Sequence, residues 1–326
     1  MNRFKNILYI MEPTEANSSA LERAITLAEN NQATLTVINV IPRITAGINL
    51  PEGGPISEEL QTVLKQTHLQ ELDDLIRPYG KRIKITTRVL VGTPFLEIIR
   101  EVLRNHHDLI IKIPEKQDWL DRIFGSDDMH LLRKCPCPVW LVKSRAAKTY
   151  RRILAAIDVE EVDSPAEMNS QTELNRQILE LASSQTLADF AELHIVHVWN
   201  AIAEDTLRGP FVHFTAQQIN SYVSGIRQEH KTLFNNTIND LTEKLKQQAG
   251  EYLDPQKHLV KGWPREEIPK LAKQIDADLV VMGTVARTGI SGYLMGNTAE
   301  AVLNQLDCSV LAIKPPGFKT PVSLKD

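Results

Sequence analysis

The feature that most constrains this chain is that it repeats itself. Asp108-Leu109-Ile110-Ile111 and Asp278-Leu279-Val280-Val281 stand 170 positions apart, and so do Gly92-Thr93-Pro94 and Gly262-Trp263-Pro264. Cys137-Pro138-Val139 returns as Cys308-Ser309-Val310, with one further residue inserted. An offset held through turn, helix, strand and loop marks a duplicated unit, and 326 residues is long for one core. The reading is two domains of one fold, 1–146 and 147–326, joined through the short polar stretch around 144–150.

Within each unit, short β-branched runs alternate with helical periodicity. NILYIM (6–11), TLTVINVI (34–41) and the runs at 83–91, 109–113 and 139–143 read as strands, with helical patterns between them. The second unit reruns this order with ILAAID (153–158), LHIVHVW (193–199), 279–282 and 310–313, and Glu12 falls opposite Asp158. Strand–helix alternation of this kind requires a parallel sheet with helices on both faces, an α/β fold. The second unit also carries an insertion at 200–250. It holds Phe211, Phe214, Tyr222 and Phe234 before a helical run to about Ala249, and reads as a lid helix whose loop aromatics fill core.

Composition excludes several classes. A net charge of −4 argues against a broad nucleic-acid-binding face, so any anion site must be local. No apolar run approaches the ~18 residues a membrane span needs, and the start lacks a signal-peptide pattern. Three cysteines, Cys135, Cys137 and Cys308, suit a reducing cytoplasm better than a disulfide framework.

The stretch from Asp278 to Lys314 carries the chemistry. A buried-strand run, 279–282, leads into a loop with glycines at 283, 289, 292 and 296, and then into a helix start, Asn297-Thr298-Ala299-Glu300. Small residues let backbone N–H groups approach an anion, and a helix's first turn adds donors. The same residues have a plainer reading, with Asn297 as N-cap and Glu300 as its capping-box partner.

With its DLVVMGTVARTGISGYLMGNTAEAVL loop, the acidic-ended ILAAID strand, HLLRKCPCPVWLVK and the closing SVLAIKP, the chain resembles the universal stress protein family over its whole length. More narrowly, it resembles the tandem two-domain E-type. The resemblance implies two open five-stranded parallel sheets of the adenine-nucleotide hydrolase-like class. Nucleotide-binding members carry Gly, two residues, Gly, nine residues, then Gly with Ser or Thr. Here that spacing falls on Gly283, Ala286 and Gly296-Asn297, with Thr298 one position late. The resemblance therefore implies a cradle of Gly283, Ala286, Arg287, Gly296, Asn297 and Thr298 in the second domain. Asp158 would lie beside the base and Val198 would line the same pocket. The implied ligand is ATP, with Mg2+, in the second domain only. In the family, fifth strands pair across a dimer, so 139–143 is expected to pair with 310–313 inside this chain as a pseudo-dimer, with a homodimer through other surfaces as a further association.

The first domain's loop, 113–124, has no glycine before Gly125 and is crowded by Pro114, Trp119 and Leu120. Asp127 and Asp128 in the helix's first turn already complement its dipole and would repel phosphate. This copy is expected not to bind ATP in the family's way. Cys135-Pro136-Cys137 lacks the second half of a structural zinc site and reads as buried edge-strand cysteine. His194 and His197 are three apart on a strand and face opposite sides, so they do not share a metal. His106-His107 sits in a helix-to-strand turn, where histidines are commonly solvated. There is no G-x-S-x-G elbow and no Walker lysine. The alternatives to a nucleotide-binding stress protein are a slow ATPase assisted by Asp158 or Arg287, and a scaffold using a pocket in either domain for another small molecule or protein.

Overall fold

The computed structural model describes residues 4–12, 17–44, 55–115, 125–143, 146–160, 164–209, 212–249, 253–285 and 295–324. The first half runs β1 (Asn6–Ile10), α1 (Asn17–Asn31), β2 (Thr34–Ile41), α2 (Pro55–Ile76), β3 (Ile85–Val91), α3 (Pro94–Asn105), β4 (Leu109–Lys112), α4 (Ser126–Lys134) and β5 (Val139–Leu141). The second half repeats the order. It contains β6 (Arg152–Ala156), α5 (Pro165–Asp189), β7 (Glu192–Trp199), α6 (Glu204–Leu207), α7 (Ala216–Ala249) and β8 (Gln256–Lys261), then α8 (Pro264–Gln274), β9 (Leu279–Gly283), α9 (Asn297–Leu303) and β10 (Ser309–Ile313).

The strands form one ten-stranded sheet in the order β3-β2-β1-β4-β5-β10-β9-β6-β7-β8. Each half contributes five parallel strands, and the halves meet where β5 pairs antiparallel with β10. The register is Val139↔Ala312, Trp140↔Leu311 and Leu141↔Val310. The fifth strands of the two halves therefore meet inside one chain, as expected for a pseudo-dimer. The sheet is open, and its parallel strands are covered on both faces, which is why they read as apolar runs rather than as alternating ones.

Strand pleating divides the core into two layers. Ile7 and Tyr9 of β1 point to the layer with Ala20 and Leu21 of α1, Ile178 of α5 and Phe234 of α7. Leu8 and Ile10 point the other way, to Ile98 of α3, Leu131 of α4, Leu271 of α8 and Val302 of α9. Prolines open α3 and α8, where a missing N–H costs nothing. The glycines before them, Gly92 and Gly262, have φ of 150° and 148°, a conformation that favours glycine.

A second contact locks the halves. Arg23 on α1 is buried, pairs with Asp189 at the end of α5 at 3.0 Å, and donates to the carbonyl of Lys148 at 2.7 Å. Its guanidinium lies 3.8 Å from the ring centroid of Tyr150. Among the described residues no helix is long and apolar enough to cross a membrane.

Two expectations need correcting. Of the insertion's described aromatics only Phe234 fills core; Phe214 and Tyr222 are exposed, and Phe211 lies outside the described residues. Cys135 and Cys137 are buried as expected, but the strand they lead is no edge, because β10 covers it.

Candidate functional site

The carboxyl ends of β6, β7 and β9 open onto a cavity of about 690 Å³ in the second half. Six of the eight residues singled out from the sequence line it: Asp158, Val198, Gly283, Gly296, Asn297 and Thr298. Ala286 and Arg287 lie outside the described residues, as do Gly289 and Gly292. Open α/β sheets hold ligands at this end because strand termini and helix starts leave backbone groups unpaired there.

Local folding places each residue. Asp158 follows β6; its backbone N–H donates to Asn175 Oδ1 at 3.1 Å, and its carbonyl accepts from Asn175 Nδ2 at 2.5 Å and Gln171 Nε2 at 2.7 Å. Its carboxylate accepts from the Glu160 N–H at 3.2 Å, which turns the chain over the cavity. Gly283 ends β9 under α5, and a Cβ there would come within 2.8 Å of Leu174 Cδ2. The bridge between Val285 and Met295 pins the two ends of the following loop together, and the Gly296 N–H donates to the Thr284 carbonyl at 3.0 Å.

The plainer capping reading does not hold. Gly296, not Asn297, is the N-cap of α9, with φ −65° and ψ 138° and no side-chain cap bond. Asn297 lies one residue inside, at N1, exposed like Thr298 on the cavity wall. Glu300 is drawn across the seam to Arg133 of α4.

His197, which sequence reasoning set aside, also lines the cavity. Its Nε2 lies 2.9 Å from Nδ1 of His230 on α7, and its Nδ1 lies 3.4 Å from the Ile157 carbonyl. Burial, and then the neighbouring His230, push its pKa down to about 4, so near neutrality it donates from Nδ1 and accepts at Nε2. His194 points to the other face and meets His258 at 3.0 Å. The signal in the sequence was half visible: strand alternation separates His194 from His197, but nothing in the helix pattern marks which turn of α7 faces the sheet. Among the described residues no group of three or more His, Cys, Asp or Glu is arranged to hold a metal ion.

The equivalent place in the first half is filled by the protein itself. Lys112, at the end of β4, is buried and reaches Glu12 at 2.7 Å and Asp128 at 2.9 Å. Asp128, also buried, accepts from the backbone N–H groups of Glu115 at 2.8 Å and Gly125 at 3.0 Å. A carboxylate of the chain thus takes the backbone donors that a bound anion would use. Burial pushes Glu115 up to about 7, with Lys112 working against it and Asp128 with it. Trp119 and Leu120 lie outside the described residues. His107 corrects the expectation of a solvated turn: it is buried, 3.7 Å from Glu101, while His106 is exposed.

A family model for universal stress proteins matches the chain twice, over residues 3–143 and 149–314. The universal stress protein E homolog of Haemophilus influenzae is 32% identical over 96% of this chain and 98% of its own length. Universal stress protein E of Salmonella typhi is 30% identical over 100% of this chain and 99% of its own. A functionally unknown protein from Pseudomonas aeruginosa, solved by crystallography, superposes with a TM-score of 0.67 at 26% identity, covering 96% of this chain and 94% of that one.

Proposed function

The chain belongs to the universal stress protein family as a tandem member, and from that premise we propose that it is a stress protein binding an adenine nucleotide, ATP with Mg2+, in its second half only. The observation that carries this is the convergence of Asp158, Val198, Gly283, Gly296, Asn297 and Thr298 on one 690 Å³ cavity at the carboxyl ends of parallel strands. In this reading Asp158 and the backbone beside Val198 read the base, and the backbone N–H groups of Asn297 and Thr298, in the first turn of α9, take phosphate oxygens. The described lining carries Asp158, Glu160 and Glu167 and, among the described residues, no lysine or arginine. In this reading Mg2+ carried by the nucleotide would meet the phosphate charge, with Arg287, which lies outside the described residues, as the expected second cation. Binding rather than turnover is the reading the groups support.

Calorimetry with ATP, with and without Mg2+, tests this on the full chain. The expected result is one site per chain, weakened when EDTA removes the metal and lost in Gly296→Trp. No heat with ATP and Mg2+ overturns the nucleotide reading, and two equivalent sites overturn its restriction to the second half. Phosphate release that disappears in Asp158→Ala would make the protein an ATPase instead.

A further inference from the structure

Trp263 borders two pockets. It lines the second-half cavity and, with Pro264, Arg265 and Thr298, a neighbouring pocket of about 230 Å³. The residue is 53% exposed, so its indole returns only part of its burial energy. Its backbone starts α8, with φ −101° and ψ 128° and no side-chain cap bond. In the first half the same position is Thr93, with φ −76° and ψ 123° and likewise no cap bond. The turn therefore does not require a tryptophan. A second difference lies just beyond it. Phe95 of α3 stacks on His130 of α4 with ring centroids 4.3 Å apart, whereas the repeat has Arg265 and Ala301 at those places. Where the first half joins two helices through a ring pair, the second presents an indole face, a guanidinium and the Thr298 side of α9 around a pocket.

Charge decides what this pocket holds. Glu266 and Glu267 occupy the first turn of α8, and their N–H groups donate to the Trp263 carbonyl at 2.9 and 3.0 Å. Two carboxylates already stand where the helix start would favour an anion, so the pocket is not a second phosphate site. What it offers is planar. The Arg265 guanidinium lies 6.0 Å from the Trp263 ring centroid, and its ion pair with Glu266, at 3.4 Å, is exposed and weak. Indole and guanidinium both stack on the faces of aromatic rings. Gly262, with φ 148°, and Pro264 fix the turn that presents the indole, so the surface is set before a ligand arrives.

We propose that Trp263 and Arg265 form a second ring-binding subsite, and that the ligand of this half is a dinucleoside polyphosphate, two nucleosides joined through a phosphate chain. The inference rests on the nucleotide reading above and extends it. One base lies by Asp158 and Val198, the phosphates cross the start of α9, and the second base stacks on Trp263. Thr298 lines both pockets, so a phosphate chain at α9 borders the pocket that the second nucleoside enters.

Calorimetry on the full chain with Mg2+ compares ATP with diadenosine triphosphate and diadenosine tetraphosphate. At least one of the two dinucleotides should bind about tenfold tighter than ATP, the scale of one base stacked on an aromatic side chain. Trp263→Thr, which installs the residue that the same turn accepts in the first half, should erase that difference and leave the affinity for ATP unchanged. Trp263→Phe, which keeps a ring face, should retain most of it. If neither ATP nor a dinucleotide binds, the nucleotide reading falls and the subsite with it. If ATP binds and neither dinucleotide binds tighter, the subsite alone is overturned. A Trp263→Thr chain that loses ATP as much as the dinucleotide puts the first base on the indole and also overturns it. A dinucleotide advantage that survives Trp263→Thr overturns the assignment to Trp263.

Discussion

At one structural position the two halves of this molecule made opposite choices. The first half has Lys112 and Asp128 where the second has Met282 and Ala299, and Glu12 where the second has Asp158. Three changes convert an open cavity into an internal ion cluster, with Lys112 between two carboxylates and Asp128 on the backbone donors of the loop. The sheet beneath is the same. Fold and site chemistry separate here, since the two halves keep the same sheet while the side chains at the carboxyl ends of its strands differ.

The strongest way to break that comparison is to remove the internal cation. Lys112→Met leaves Asp128 buried and unpaired, and should cost about 3–5 kcal/mol in urea unfolding. Adding Asp128→Ala, which restores the second half's chemistry, should recover a large part of the loss, because the two residues act as one unit. Additive costs would show that Asp128 is held by the loop amides and not by Lys112.

Lys314 gives the next largest effect. Its first-half counterpart, Lys143, pairs with Asp307 at the surface at 2.6 Å, whereas Lys314 is buried against neutral acceptors. Burial pushes its pKa down to about 8 from 10.5. The unfolded chain then binds more protons than the folded one between those values, so stability rises with pH across that window, by at most about 3 kcal/mol. Urea midpoints at pH 7.5 and 10 should show this rise in the native protein and lack it in Lys314→Met.

Binding sharpens the comparison at smaller scale. Asp158→Ala should weaken ATP by about tenfold, near 1.4 kcal/mol, while Glu12→Ala should leave affinity unchanged because its carboxylate serves Lys112. Calorimetry on both variants decides it; a matching loss in Glu12→Ala would mean the first half also holds ligand.

How much of this was legible follows from what each signal encodes. Strand positions and the duplication were readable because burial on both faces writes continuous apolar runs, and the antiparallel β5–β10 junction followed from the family's way of pairing fifth strands. Gly283, Gly296, Asn297 and Thr298 were readable because their spacing is local, whereas Asp158 and Val198, on other strands, came from the family resemblance. The plainer reading of Asn297 as a cap fails because N-cap identity depends on backbone angles, and Gly296 adopts the extended conformation that the position needs. Asp128 looked like a dipole partner on its own helix. Its actual partner, Lys112, sits on a neighbouring strand in a run that reads as plain core. His197 and His230 meet across 33 positions, and the first half has Asn39 at the place of His197. Asn39 donates to the Met11 carbonyl at 3.0 Å, the repeat's equivalent of the bond from His197 to Ile157, with no second partner required.

The smallest effect tests how strictly the repeat copies backbone strain. Gln32 and Phe190, equivalent positions after α1 and α5, have φ of 51° and 53°, and His106 and Asp276 after α3 and α8 have 53° and 50°. Each helix ends in a left-handed residue that is not glycine, which costs an L-residue about 1 kcal/mol. Phe190 is 97% exposed, so its ring returns no packing energy. Asp276 keeps an ion pair with Arg152 at 2.7 Å. Phe190→Gly should therefore raise stability by about 0.5–1 kcal/mol and Asp276→Gly by less, since exposed ion pairs contribute only a few tenths of that scale. If Phe190→Gly destabilises the protein in urea, its ring contributes a contact beyond the backbone geometry, and the equivalence of the two helix ends fails at that residue.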